Sequence, residues 1–274
     1  MGKRLLPGFG LTMGVTLTML SLVVLLPMAT VFGYAIQLPP AELLAILSKS
    51  TVQHAFMTSL GTALIAAAIN LVFGMILAWI LVRYDFPGKR IIDSLIELPF
   101  ALPTAVAGIT LSKLYSDTGY MGKALESLGI SILYTKVGII VALVFVGIPF
   151  VVRSVEPVLA KLDPSYEEAG AVLGASRFTV WRKIILPELW PSAIAGFSLA
   201  FARGLGEYGS VIYISGNSAK AQTQVVSYVI MQKLNYVDYN GATAMAVLLL
   251  ILAFGILFAV NALQLRRARR MGVR

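Results

Sequence analysis

Three groups of residues have the types and spacing to do chemistry. Glu167 and Glu168 are adjacent carboxylates, Arg203 and Glu207 stand four apart, and His54 is the single histidine. Paired carboxylates can share acid and base duties, but helical neighbours point about 100° apart, and no other catalytic group accompanies this pair. The absence of cysteine excludes thiolate ligands, cysteine nucleophiles and disulfides, and one histidine builds no imidazole metal cluster. No nucleotide cradle of the form G-x-x-x-x-G-K-[ST] occurs, since Gly88-Lys89 is followed by Arg90 and Gly122-Lys123 by Ala124. The chain therefore reads as no enzyme, with no cofactor of its own. Arg203 and Glu207 share a helix face. They read either as a self-neutralising pair that locks packing or as part of a gate. His54 reads as an interfacial residue.

The elements that position these residues are membrane helices. Of 274 residues, 58 % are hydrophobic and 13 % charged, with a mean hydropathy of +0.84. Soluble domains carry about 25 % charged residues. Leu5 to Ala41, Ala55 to Val82 and Tyr239 to Leu265 contain no Asp, Glu, Lys or Arg, and each exceeds the roughly 20 residues that a span requires. Leu98 to Ser112 and Val137 to Val152 are shorter, with Lys113 and Lys136 placed to snorkel. Leu189 to about Ser218 is interrupted by Arg203 and Glu207. The expectation is an all-α membrane protein with six transmembrane helices. Lys3 and Arg4 precede an apolar run, Leu11 to Leu38, that is too long for a signal peptide and reads as a retained anchor.

Basic residues orient the chain. With a cytoplasmic N-terminus, outside loops hold only Lys49, Lys113, Lys123, Lys136, Lys220 and Lys233, and most of the 22 basic residues lie inside. Both termini are then cytoplasmic. The pI near 9.8 fits anionic lipid as a partner and calls for no nucleic acid. A helix starting near Pro191 carries Arg203 about 18 Å and Glu207 about 24 Å along it. Charges at that depth face a cavity or each other. Gly204, Gly206 and Gly209 favour an unwound outer end. In the gate reading Arg203 attracts an anion and Glu207 opposes it, which leaves a weakly binding route.

The long cytoplasmic segment, 153–190, is the most charged stretch. Asp163 can cap a helix that opens at Pro164, Gly174 can stop it in the left-handed conformation, and Ser176 offers a second cap. Pro187 is expected to end the second helix, and Leu173, Phe178, Trp181 and Ile185 to be its apolar contacts. Glu168-Ala169-Gly170, Gly174 and Ile184-x-Leu186-Pro187 resemble the cytoplasmic EAA signature of ABC-importer permeases, E-A-A-x3-G-x9-I-x-L-P. The departure is Gly170, where the family usually has alanine. A glycine there lowers local helix stability by up to about 1 kcal/mol. The resemblance implies a type I importer-like fold: one permease domain over 1–274, with a coupling-helix loop between helices 4 and 5. In that family the loop sits in a cleft of an ATPase subunit.

An internal echo accompanies it. Leu98 to Leu111 aligns with Leu186 to Leu199 at half of its positions, with small-residue faces at Ala105, Ala107, Gly108 and Ala193, Ala195, Gly196. The two stretches read as equivalent helices rising from the cytoplasmic face. Asn70 and Asn261 read as interhelical hydrogen bonders, and Trp79, Tyr84, Tyr115, Tyr213 and Tyr236 as interface anchors.

Leu5-Leu6-Pro7-Gly8-Phe9, Arg83-Tyr84-Asp85-Phe86-Pro87-Gly88, Leu98 to Gly108, Ile148 to Arg153 and Leu205-Gly206-Glu207-Tyr208-Gly209 are similar to the CysT-type permeases of sulfate/thiosulfate importers. That resemblance implies a homologous second permease, two ATP-binding cassette subunits and an external sulfate-binding protein, in a bacterial inner membrane or a plastid membrane. Molybdate or tungstate import is the alternative within the class. An ion-coupled secondary anion transporter is the alternative outside it, and for that mechanism Glu207 is the one acidic residue within a span.

Overall fold

The computed structural model describes residues 9–163 and 165–270, and every regular element among them is helical. Lys3, Arg4, Leu5-Leu6-Pro7-Gly8, Pro164 and Arg274 lie outside the described residues. In chain order the elements are α1 (Phe9–Gln37), α2 (Pro40–Leu47), α3 (Ser50–Arg83), α4 (Lys89–Ala101), α5 (Thr104–Leu114), α6 (Tyr120–Glu126) and α7 (Lys136–Lys161). They continue with α8 (Ser165–Val172), α9 (Arg177–Leu205), α10 (Gly209–Ile214), α11 (Val226–Asn235) and α12 (Tyr239–Arg270).

Helices α1, α3, α7, α9 and residues Tyr239–Ala262 of α12 are each long and apolar enough to cross a membrane. The third expected span, Leu98 to Ser112, is not one straight helix. Its residues divide between α4 and α5, which meet at 115°. Pro103 has no N–H, and its ring forces Leu102 into an extended conformation with ψ 136°. The fifth expected span also divides: α9 stops at Leu205 and α10 follows.

Two prolines do the opposite. Leu26-Pro27 and Leu186-Pro187 each follow a five-residue π turn, Ser21–Leu25 in α1 and Trp181–Ile185 in α9. In each turn the residue before proline reaches back five positions, Leu26 N–H to Ser21 O and Leu186 N–H to Trp181 O. Widening the turn re-registers the hydrogen bonds around the missing proline donor, so the helix passes through. Pro187 therefore does not end the second loop helix. That helix is the N-terminal start of α9.

The core is the packing of α3, α7 and α9. Ala63, Ala66, Ala67 and Ala78 of α3 face a cluster that includes Val151, Val152, Val155 and Leu159 of α7. Glycines set the spacing: a Cβ on Gly74 would lie 2.7 Å from the Val151 Cβ, and one on Gly196 would lie 2.7 Å from the Val151 Cα. Small residues at such crossings let backbones approach closely. Asn70, 1 % exposed, packs against Gly147, and its Oδ1 has no hydrogen-bond partner, contrary to the interhelical bond expected of it. Asn261 is exposed.

The two echo segments are not structurally equivalent. The first breaks at Leu102-Pro103, whereas the second runs unbroken through Pro191 inside α9. Gly108 packs on Ser210 of α10, and Gly196 packs on α7.

Candidate functional site

The segment between α7 and α9 is shorter than the 153–190 expected. Helix α7 continues to Lys161 and α9 begins at Arg177, which leaves residues 162–176 as the connection. Local chemistry builds its turn. Ser165 N–H donates to Asp163 Oδ1 at 2.8 Å and holds that carboxyl below its ordinary value. Gly174 takes φ +74°, Gly174 N–H donates to Ala171 O, and Ala175 N–H donates to Gly170 O. This pair of bonds is a Schellman stop for α8. Ser176 then caps α9, with its Oγ accepting from Thr179 N–H at 3.2 Å.

Around this turn Glu168, Ala169, Gly174 and Pro187 are exposed, and Ile184 and Leu186 are half-buried. Gly170 is buried, because a Cβ there would lie 2.5 Å from Val180 Cγ2. The glycine that departs from the family pattern is thus a packing residue between α8 and α9. Of the expected apolar contacts, only Ile185 is buried. Leu173 is 85 % exposed and Phe178 66 %, with Val172 beside them at 87 %. Phe178 stacks on Trp181 at 6.2 Å.

Two arginines that the sequence offered as basic charges within the family-like stretches anchor the end of the helix bundle nearest this turn. Arg83 Nη2 lies 3.0 Å from Glu167 Oε1, donates to Leu162 O at 3.2 Å, and its guanidinium stands 5.8 Å from the Trp79 ring. Arg153 of α7 meets Asp93 and Glu97 of α4 at 2.8 Å each and Glu156 at 2.5 Å. Phe100 packs edge-on against Phe150 at 5.1 Å beside it. Helix spacing connects Arg153 with Glu156, three residues on, but no spacing rule connects Arg83 with Glu167 or Arg153 with Asp93 and Glu97.

At the other end, Arg203 and Glu207 form an ion pair. Glu207 is 2 % exposed, and its Oε1 accepts from Ser210 N–H at 2.8 Å and Ser210 Oγ at 2.9 Å. Its carbonyl accepts from Ser227 Oγ at 2.7 Å. The carboxylate therefore caps α10 from inside the protein, while the Arg203 side chain is 36 % exposed. The three nearby glycines differ. Gly209 has no room for a side chain against Thr104, Gly204 makes ordinary contact with Ala63, and Gly206 faces open space. Thr58 Oγ1 donates to Gln222 O and Ser59 Oγ accepts from Val226 N–H, so α3 holds the loop that follows α10. The hydroxyl partners Thr58, Ser59, Ser210 and Ser227 were missed, since small polar residues in apolar runs carry no pattern.

A family model described as binding-protein-dependent transport system inner membrane component matches residues 70–273. The chain belongs to that family. It is 45 % identical over 98 % of its length to the sulfate transport system permease protein CysT of Salmonella typhimurium, covering 97 % of that protein. It is 42 % identical to CysT of Synechococcus elongatus, covering 89 % of this chain and 88 % of that one. It is 40 % identical to a probable cysT of Marchantia polymorpha, over 96 % of this chain and 91 % of that one. Its fold is similar to a bacterial ABC transporter that imports the acidic polysaccharide alginate, at TM-score 0.79 and 16 % identity over 94 % and 96 % of the two chains. The MetNI methionine ABC transporter is a more distant match at TM-score 0.54, with 19 % identity over 77 % and 93 % of the chains.

Proposed function

We propose that this chain is a membrane-spanning permease subunit of an ATP-driven sulfate importer. It lies in the inner membrane with both termini cytoplasmic, beside a homologous second permease, two ATPase subunits and an external sulfate-binding protein. Substrate assignment rests on the 45 % identity to sulfate permeases over nearly the whole chain. One observation carries the coupling reading: a capped, rigid turn presents Glu168 together with the exposed apolar side chains Val172, Leu173 and Phe178. An apolar edge of this kind on a polar segment marks a protein contact. Glu168, Ala169, Gly170, Gly174, Ile184, Leu186 and Pro187 form or support that surface. Energy enters through it, and the permease itself is a conduit with no cofactor.

Arg203 and Glu207, with Gly204, Gly206 and Gly209, form the outer end of the path in this reading. The partly exposed guanidinium offers an anion a positive charge, and the buried Glu207 offsets most of it, so passage is favoured over capture.

The test is co-purification with the cognate ATPase and sulfate uptake, with and without Gly174→Asp. The variant is expected to insert in the membrane and to lose ATP-dependent uptake. Unchanged uptake refutes the coupling reading. Arg203→Ala combined with Glu207→Gln, which leaves no buried orphan charge, is expected to lower uptake in an assembled complex. Uptake that survives ATP depletion but stops with uncouplers indicates the ion-coupled class instead, and molybdate outcompeting sulfate indicates the other oxyanion.

A further inference from the structure

We propose that the Arg83–Glu167 pair is a tether that carries displacement of the cytoplasmic turn into α3, and that α3 is the lever delivering it to the outer end of the path. The proposal rests on the coupling reading above and adds the route. The adjacent carboxylates divide the work. Glu168 is exposed and free for a partner, whereas Glu167 points back to Arg83 at 3.0 Å. Neighbours on a helix cannot both face the same way.

Arg83 is suited to this role. Its side chain is 16 % exposed, and one guanidinium meets the Glu167 carboxylate of α8, the Leu162 carbonyl at the end of α7 and the Trp79 ring of its own helix. A planar, delocalised cation can satisfy these three partners together, and a lysine ammonium cannot. Arg83 is also the last residue of α3. That helix is 34 residues long and contains no proline, so it is a rod of about 51 Å. Near its far end Thr58 and Ser59 hold Gln222 and Val226, and the adjoining Ser227 holds the Glu207 carbonyl. An ion pair, the α3 backbone and three hydrogen bonds thus link Glu167 at one end of the helix bundle to Glu207 at the other.

The experiment uses the complete transporter in proteoliposomes, reading ATP hydrolysis and radiolabelled sulfate uptake on the same vesicles. Glu167→Gln keeps the side-chain shape and removes the charge. It is expected to leave the complex assembled and hydrolysing while ATP consumed per sulfate rises about fivefold, the lower end of a typical coupling between sites. Arg83→Lys is expected to raise it similarly. Exchanging the charges, Arg83→Glu with Glu167→Arg, is expected to bring the ratio back toward that of the unaltered protein. An unchanged ratio in Glu167→Gln overturns the proposal, as does a proportional loss of hydrolysis and uptake, which is what a merely structural bond predicts. Gly174→Asp separates the two claims. If it abolishes uptake while Glu167→Gln is silent, the tether alone fails. If it too is silent, the coupling reading fails and the tether falls with it.

Discussion

Gly108→Ala should loosen the setting of Glu207 without touching any charged residue. A Cβ on Gly108 would stand 2.5 Å from the Ser210 carbonyl oxygen and 2.8 Å from the Ser210 Cα. Both are backbone atoms and cannot rotate away. A carbon–oxygen contact settles at about 3.3 Å, so α10 must retreat by about 0.8 Å. The Ser210 N–H to Glu207 bond is 2.8 Å, and stretching it by that amount gives about 3.6 Å, where it no longer counts as a hydrogen bond. Losing one bond to a buried carboxylate costs about 1.5–3 kcal/mol. Gly206→Ala is the control, because that glycine has open space and an ordinary φ of −91°. Thermal denaturation of the purified complex, followed by size exclusion, should show a lowered midpoint for Gly108→Ala alone, with sulfate uptake reduced in parallel. If the two variants behave alike, the close approach of α5 and α10 is not what holds Glu207.

Other outcomes follow from the same geometry. Gly170→Ala, although it restores the family's usual residue, should loosen the α8–α9 contact, since overpacking costs about 1–3 kcal/mol. Adding Val180→Ala should relieve it, as read by protease sensitivity of residues 165–176. Asp163 is held below its ordinary 3.8 by the Ser165 N–H. A depressed carboxyl stabilises above its unfolded value and loses that contribution as pH falls through the folded one. A nitroxide at Ala169→Cys, in a chain with no other cysteine, should therefore show constant mobility from about pH 8 to about pH 5 and loosen only below about pH 4. Glu207→Ala should destabilise the complex more than Glu188→Ala, because Glu207 is buried with three partners whereas Glu188 is exposed.

The turn between α8 and α9 was legible because its determinants are local. Asp163, Gly174 and Ser176 act within three residues of themselves, and all three take the capping roles their types suggest. What projects from the turn was not legible. Leu173 and Phe178 are apolar and read as contacts whose covering surface the sequence did not name, and they are exposed. An apolar side chain shows that it avoids water, not which surface will cover it. Arg83 and Arg153 stand out in the sequence as basic residues at the ends of apolar runs, but their carboxylate partners are set by helix packing.

Hydropathy alone establishes a helical membrane protein, since unbroken apolar runs of more than about 20 residues fit a spanning helix and are far longer than a barrel strand. The EAA-type spacing likewise marks the glycine turn at Gly174 without coordinates. Prolines mark where the structure had to decide. Pro103 breaks its helix at 115°, while Pro187 and Pro191 sit within one continuous helix. A proline removes the same donor and adds the same ring wherever it stands. Whether the chain bends or widens into a π turn depends on the neighbours: α5 is drawn onto Ser210 of α10, and α9 is clamped along α7 at Val151.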